Sequence, residues 1–90
     1  MEKIIASAIK FLDKDTREWI TMTGVRHADI WYDMHRLNIK YNKEYCYQGF
    51  ITNGGDFVDR YEAKLIAVKA NQLIVPLETT YTELYSEDIW

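Results

Sequence analysis

Two arginines stand where the sequence predicts the first turns of its two helices. Arg26 follows a break at Gly24, and Arg60 follows Asp59, a residue with the chemistry of a helix N-cap. The free N–H groups and partial positive charge of a helix N-terminus favour anions, and an arginine there adds a bidentate phosphate contact. Many helices begin with Arg without binding a ligand, and Asp59 competes for the same N–H groups. The pattern indicates binding of a small anion.

Patterns of catalytic and metal-binding residues are missing from the sequence. The chain has one Cys and two His, and His27 and His35 stand eight residues apart on one predicted helix, too far to ligate one metal ion together. A Gly-rich phosphate loop and a nucleophile elbow are also missing. We therefore expect a protein that is not an enzyme and has no catalytic residue, metal or cofactor. The single Cys46 lacks a disulfide partner and is predicted to be dispensable.

Composition and charge narrow the possible functions. Ninety residues suffice for a single domain, residues 1–90, and 48% hydrophobic residues indicate a globular chain. Three Trp and seven Tyr are more than so small a core needs, which favours interfaces or stacking sites. A net charge of −3 argues against binding of duplex nucleic acid. The chain has no apolar run of roughly 18 residues and no signal-peptide pattern, so we expect a soluble, intracellular protein without membrane contacts.

The best-defined local signals lie in the middle of the chain. Gln48–Ile51 is a β-prone run that leads to a turn at Asn53-Gly54-Gly55. Asp59 then has N-cap chemistry, and Glu62 three residues later completes a capping box. We predict a strand at 48–51 and a helix from about Asp59 to Gln72.

This predicted helix carries two apolar lines. The first consists of Ala63, Ile66, Ala67 and Ala70, whose small size suits close packing on a sheet or another helix. The second consists of Tyr61, Leu65 and Val68. Either the helix is buried on two sides within the chain, or the second line is a contact between subunits. The second line and the aromatic surplus together predict a homo-oligomer.

The remaining segments complete an α+β fold. Residues 3–23 read as an antiparallel hairpin with a turn at 13–15, and its first strand is apolar on both sides, as in a sheet covered on both faces. A helix is predicted from Arg26 to about Asn38, a loop from Asn38 to Tyr47, and a docked C-terminal tail. The predicted architecture is a small antiparallel sheet, the hairpin plus a third strand, packed with two α-helices.

The first predicted helix has an apolar stripe that includes a histidine. The stripe consists of Ile30, Trp31, Met34 and Leu37, and His27 lies on it. A histidine beside apolar neighbours is either a hydrogen-bonded structural residue or a ligand contact. Asp29, Asp33 and Arg36 occupy the other, solvated face.

Four segments together resemble a family of small phage proteins: IIASAIK, GVRHADI, QGFITNGGDFVDRYEA and the terminal LYSEDIW. They look like the pattern of the anti-Thoeris sponge group over nearly the whole chain. The resemblance implies a protein that binds a cyclic nucleotide immune signal, glycocyclic ADP-ribose or a cyclic oligonucleotide, and sequesters it intact between subunits. It also implies a role in the host cytoplasm.

The resemblance further implies which residues contact the ligand. Arg26 matches the arginine of the RH element, beside His27, and Phe50 matches an aromatic residue that stacks on a base. Asp59 and Arg60 match the polar pair that opens the second helix. The chain departs from the family at Gly55-Asp56, where relatives often carry Arg or Lys, and in a shortened segment after Gln72. The alternative function is direct inhibition of a host defence protein, and hydrolysis of the signal is a third possibility.

Overall fold

The computed structural model describes residues 1–76 and 82–90, which form an α+β domain around one antiparallel sheet. The four strands lie in the order β2-β1-β3-β4. In chain order the elements are β1 (Ile4–Asp13), β2 (Trp19–Gly24), α1 (His27–Arg36), β3 (Tyr41–Thr52), β4 (Phe57–Asp59), α2 (Arg60–Lys69) and a short 3₁₀ helix, Ser86–Asp88. The predicted fold class is confirmed. Neither helix in the described part of the chain is long and apolar enough to cross a membrane.

The N-terminal hairpin has the predicted strands and a turn held by one carboxylate. The Asp13 side chain accepts hydrogen bonds from the backbone N–H groups of Thr16, at 2.9 Å, and Asp15, at 2.8 Å. These bonds hold the pKa of Asp13 below its ordinary value, because they favour the charged form. Arg17 then adopts a positive φ of 61°, which reverses the chain into β2.

The prediction of a loop from Asn38 to Tyr47 is wrong. Strand β3 already begins at Tyr41 and pairs with β1 from Asp13 back to Ile4. Alternation between the two faces of a strand explains the polar and aromatic mixture that we interpreted as a loop. Tyr45 and Tyr47 are exposed, whereas the intervening Cys46 is half-buried. A register shift between Phe11 and Asp13 interrupts the pairing at this end and obscures the strand pattern in the sequence.

Both helices pack on the same face of the sheet, so the prediction of a sheet covered on both faces is also wrong. Ile9 and Phe11 of β1 form one core cluster with Ile30 and Met34 of α1. The second cluster contains Ile4, Phe50, Val58, Ala63, Ile66, Ala67, Leu84 and Ile89. A register shift between Ile4 and Ala6 breaks the expected alternation. Ile4 is therefore buried, whereas its neighbour Ile5 is 51% exposed.

The C-terminal segment 82–90 is docked, as predicted. Leu84 is fully buried and Ile89 is 7% exposed, both in the cluster that α2 covers. The Leu84 backbone N–H donates to Arg60 O at 2.9 Å, and the Ile74 N–H donates to Asp88 O at 2.8 Å. The segment therefore completes the core between the helices and the sheet.

An asparagine in the left-handed region follows the C-cap residue of each helix, Asn38 at φ 54° after α1 and Asn71 at φ 57° after α2. After α2, the Gln72 N–H donates to Ala67 O and the Asn71 N–H donates to Val68 O, which is the Schellman arrangement. Helix α2 therefore ends at Lys69, three residues before the predicted end at Gln72. The Gln72 amide then bonds both backbone groups of Ile4 at 2.8 Å, which fixes the chain after α2 to β1.

Candidate functional site

The first predicted ligand residue, Arg26, lies at the N-cap of α1 and contacts the C-terminal segment. Its Nη2 donates to Trp90 O at 2.7 Å. The side chain is exposed, and the ion pairs found within the described residues do not include it. Arg26 therefore joins the start of α1 to the docked segment.

His27 is buried, and both of its ring nitrogens have partners within the protein. Nε2 lies 2.8 Å from Gly49 O, and Nδ1 lies 2.6 Å from Ser86 Oγ. Because a carbonyl oxygen only accepts, Nε2 carries a proton, and in the neutral ring Nδ1 accepts from the Ser86 hydroxyl. Ser86 Oγ also accepts from the His27 backbone N–H at 3.1 Å and lies 2.8 Å from Ser7 Oγ. The geometry therefore supports the interpretation of His27 as a hydrogen-bonded structural residue.

The Ser86–His27 contact has the distance of a nucleophile and its base, a pairing that the sequence did not reveal. Ser86 is only 1% exposed, and its hydroxyl also contacts Ser7 and the His27 backbone. A substrate atom has no approach to such a hydroxyl in this arrangement. The contact joins β1, α1 and the C-terminal segment across a separation of 59 residues, which local spacing in the sequence cannot show.

We expect His27 to make folding stability depend on pH. Burial lowers the pKa of His27 below its ordinary 6.5, and the Arg60 charge acts the same way, whereas the Gly49 hydrogen bond and the Glu87 charge oppose it. The folded protein thus binds this proton less readily than the unfolded chain does. Stability should therefore fall as the pH drops below about 6.5.

Thermal melts of the wild type and H27Q across about pH 5 to pH 8 measure this dependence. The wild type should lose melting temperature on acidification below pH about 6.5 more steeply than H27Q does. H35Q, which removes the exposed histidine of the same helix, is the matched control. Parallel curves for the wild type and H27Q would contradict the prediction.

Asp59 and Arg60 open α2, and both side chains have partners within the protein. Asp59 Oδ1 accepts from the Glu62 N–H at 2.8 Å, which is one half of the predicted capping box. Arg60 Nη2 donates to Gln48 Oε1 at 2.9 Å, and its guanidinium lies 4.6 Å from the centroid of the Tyr85 ring. The Arg60 Nε atom is buried without a hydrogen-bond partner. Arg60 is thus packed between β3 and the C-terminal segment.

Phe50 is fully buried, with its ring edge-to-face against His27 at 5.0 Å between centroids. The predicted stacking of Phe50 on a base does not fit this position, because its ring lies inside the core cluster. Of the five predicted ligand residues, the structure brings Arg26, His27 and Phe50 together at the start of α1. Asp59 and Arg60 lie at the start of α2, and both groups adjoin the C-terminal segment.

A different surface has the side chains for stacking. On the face of the sheet opposite the helices, Trp19 of β2 contacts Tyr45 and Tyr47 of β3, with ring centroids 6.3 and 6.1 Å apart. Their exposed fractions are 49% for Trp19, 43% for Tyr45 and 50% for Tyr47. Phe57 of β4 lies on the same side, since its ring is close to Gly49. We refer to Trp19, Tyr45, Tyr47 and Phe57 as the aromatic face.

One lysine lies within the aromatic face. Lys10 Nζ is 5.5 Å from the centroid of the Trp19 ring and 5.8 Å from that of Phe57. The ion pairs found in residues 1–76 and 82–90 do not include Lys10. Its positive charge is held over two rings, where cation–π attraction stabilises it. The face therefore combines exposed rings with a central ammonium group.

Gly49 allows the Phe57 ring to pack closely against β3. A Cβ at this position would stand 2.5 Å from Phe57 Cζ and 2.2 Å from Val58 O. A side chain at position 49 would therefore displace both the ring and strand β4. The sequence shows Gly49 next to Phe50, but only the pairing of β3 with β4 explains why glycine is needed there.

Cys46 lines a shallow hollow of about 170 Å³ with Trp31, Tyr41, Lys43 and Gln48 on the helix side of the sheet. Burial raises the pKa of the Cys46 thiol, so the reactive thiolate is disfavoured. No group of three or more His, Cys, Asp or Glu side chains suited to a metal ion occurs among the residues described. We infer that Cys46 contributes packing rather than chemistry.

We expect the C46S variant to keep the fold and any ligand binding, with stability lowered by about 1 kcal/mol or less. Serine has nearly the same size, and the half-buried site has room for its hydroxyl to reach solvent. Denaturant unfolding and ligand titration of the two proteins measure the effect. A folded C46S protein that no longer binds ligand would show that the thiol takes part in binding.

Comparison with protein families places the chain among small proteins of bacteriophages. The family described as Phage T4 y16D protein matches residues 3–90, and the chain belongs to this family. The expectation of a phage protein is thus confirmed. Neither the curated proteins nor the solved structures contain a match to the chain.

Proposed function

We propose that this phage protein binds a cyclic nucleotide immune signal on its aromatic face and sequesters it without cleaving it. The observation that carries the proposal is the group of three neighbouring exposed rings, Trp19, Tyr45 and Tyr47, with Lys10 beside them. Exposed rings of this kind stack on nucleobases of any sequence. Glycocyclic ADP-ribose and cyclic oligonucleotides each offer a planar base and phosphate groups. The family match shows a phage protein, and the role against host defence is part of the proposal.

Stacking and one charge can supply a useful affinity in an acidic protein. Each stacked base contributes about 1–3 kcal/mol, and a charge-assisted hydrogen bond contributes about 1.5–3 kcal/mol. The net charge of −3 gives no general attraction for a phosphate, so the contact must come from a local cation. Lys10 lies where a phosphate linked to a stacked base can reach it. Two stacked bases and one such contact add up to about 3.5–9 kcal/mol, which corresponds to a dissociation constant between about millimolar and about micromolar.

The aromatic face suits a ligand better than the helix N-termini do. At α1, Arg26 already donates to Trp90 O, and at α2 the Asp59 carboxylate occupies the first-turn N–H of Glu62. A nucleotide at either position would have to displace part of the C-terminal segment or the cap. On the aromatic face, roughly half of each Trp19 and Tyr47 side chain is already open to solvent.

The test is incubation of the purified protein with a panel of cyclic nucleotides, removal of unbound material and release by heat. Recovery of an intact nucleotide supports sequestration, and an altered product would identify an enzyme instead. Loss of uptake in W19A but not in R26A or R60A would support the aromatic face as the site. The reverse pattern would move the site to the helix N-termini.

The second candidate function is direct binding of a host defence protein through the same face. Exposed Trp and Tyr side chains are also typical of the residues that dominate protein interfaces. This alternative would be favoured if the protein takes up no nucleotide in the panel and the W19A variant no longer protects the phage from host defence.

A further inference from the structure

Helix α2 has an exposed apolar surface on the side that faces away from the core. Its residues Tyr61, Leu65 and Val68 are 57%, 73% and 40% exposed. Ala63, Ile66 and Ala67, on the opposite side of the helix, are buried in the core. Within residues 1–76 and 82–90, these three side chains are thus left open, and the described part of the chain does not bury α2 on two sides. We refer to Tyr61, Leu65 and Val68 as the α2 stripe.

The residues around Leu65 are arranged symmetrically. Tyr61 and Val68 are seven residues apart, and so are Glu62 and Lys69. At 3.6 residues per turn, about 100° per residue, Tyr61 and Val68 fall on one side of Leu65 and Glu62 and Lys69 on the other. Both pairs bracket Leu65 along the helix axis. Leu65 is thus flanked by an apolar pair on one side and by an oppositely charged pair on the other.

We propose that a second copy of this chain packs its α2 antiparallel against this α2, about a twofold axis that passes near Leu65. Such an axis brings Leu65 against the partner's Leu65 and Tyr61 against the partner's Val68. It also brings Glu62 against the partner's Lys69. Because the contact is isologous, the last two contacts each occur twice. The twofold axis thus sets apolar side chains opposite apolar side chains and the acid opposite the base. The surface of α2 is therefore complementary to the same surface of a second copy.

The placement of the side chains disfavours the parallel arrangement. A twofold axis parallel to the helices carries each side of Leu65 to the opposite side, so it would place Glu62 against the partner's Tyr61 and Lys69 against the partner's Val68. Within residues 1–76 and 82–90, the ion pairs found include neither Glu62 nor Lys69, so both are free to pair across the axis. The antiparallel dimer is therefore the arrangement that pairs acid with base and apolar with apolar.

Hollows beside the α2 stripe offer room for the partner's side chains. One of about 230 Å³ is lined by Val68, Asn71, Leu73 and Val75, and it lies where the antiparallel arrangement brings the partner's Tyr61. Another, of about 360 Å³, includes Leu65, Lys69 and the 86% exposed Met1. A hydrogen bond to Glu83 and the charge of that carboxylate raise the pKa of Tyr61.

The dimer should be weak. A helix of ten residues is about 15 Å long, and its stripe alone covers less than the roughly 800 Å² per partner of a standard interface. Met1 and the Val75 region extend the contact beyond the helix. We expect a dissociation constant on the order of micromolar, so the oligomeric state should change with protein concentration.

The test is sedimentation equilibrium of the full chain over a range of concentrations around micromolar, in low salt. The wild type should pass from the 10.7 kDa monomer to twice that mass, and L65D should remain monomeric. E62K and K69E should each dimerise at least about tenfold more weakly, because each places two like-charge pairs in the interface. E44K, which changes an exposed charge on β3, is the matched control.

Charge reversal separates this interface from a structural effect. The double variant E62K/K69E should dimerise like the wild type, because its pairs are again of opposite charge. An equimolar mixture of E62K and K69E should form a mixed dimer although each alone remains monomeric. A wild type that stays at 10.7 kDa, or single variants that dimerise normally, would overturn the proposal. So would a mixture that fails to associate while both variants melt like the wild type.

Discussion

Replacing Phe50 by Ala should lower the free energy of unfolding by about 3–5 kcal/mol. The ring is fully buried among Ile4, Val58 and Leu84, and it packs edge-to-face on His27. The substitution removes apolar contacts and leaves a cavity that the surrounding sheet and helix cannot fill. A domain of this size has a free energy of unfolding of about 5–15 kcal/mol in total. The F50A protein should therefore be only marginally stable. Urea unfolding followed by circular dichroism measures the change.

Tyr32 provides the control for this experiment. It is an aromatic residue of α1 that is 68% exposed, so Y32A should change stability by about 0.5 kcal/mol or less. The sequence-based role of Phe50 as a stacking partner makes the opposite prediction. If F50A unfolds like the wild type but loses nucleotide uptake, the ring contacts ligand and the core position described above is not its functional one.

The W19A/Y47A double variant should lose at least about thirtyfold in affinity for any nucleotide that the protein sequesters. Stacking on each ring contributes about 1–3 kcal/mol, and Trp19 and Tyr47 are near-parallel, with 26° between their planes. Removing Trp19 also takes away one ring over which the Lys10 ammonium lies. Isothermal titration with the nucleotide recovered from the panel measures the loss.

Stability should change much less than affinity in this variant, because both rings are about half exposed. Y32A again serves as the control, since it removes an exposed ring from the helix layer. Unchanged affinity in the folded double variant would show that the aromatic face is not the binding site. Loss of affinity with an equal loss of folding would assign the rings a structural role.

The sequence was sufficient to predict those elements whose structure depends on the chemistry of residues close together in the chain. Asp59 caps α2 as predicted, and the small residues Ala63 and Ala67 are buried against the sheet. The hairpin of β1 and β2 follows from β-prone residues on either side of a turn that Asp13 stabilises. The docked C-terminal segment follows from its apolar residues, which include Ile89. In each case, residues near in sequence carry the signal.

Features that depend on register and distant contacts were missed. With residues 38–47 interpreted as a loop, Tyr45 could not be placed beside Trp19, although the aromatic surplus indicated a stacking site. The short strand β4 was also missed, because Phe57-Val58 exists as a strand only through its pairing with β3. Phe50 has an apolar side chain suited to either role, and only its position between His27 and α2 makes it a core residue.

The docking of segment 82–90 also affects how the protein folds. Ser86 meets Ser7 across 79 residues of chain, so this contact closes nearly the whole sequence into one loop. Loop closure of that length costs entropy before the contact returns any stabilisation, and folds rich in such contacts fold slowly for their size. The hairpin and helices can form from neighbouring residues, but the core around Leu84 remains open until the two ends of the chain meet. Until then, apolar surface on β1 and α2 is exposed to other partly folded molecules. Aggregation during folding should therefore increase with protein concentration.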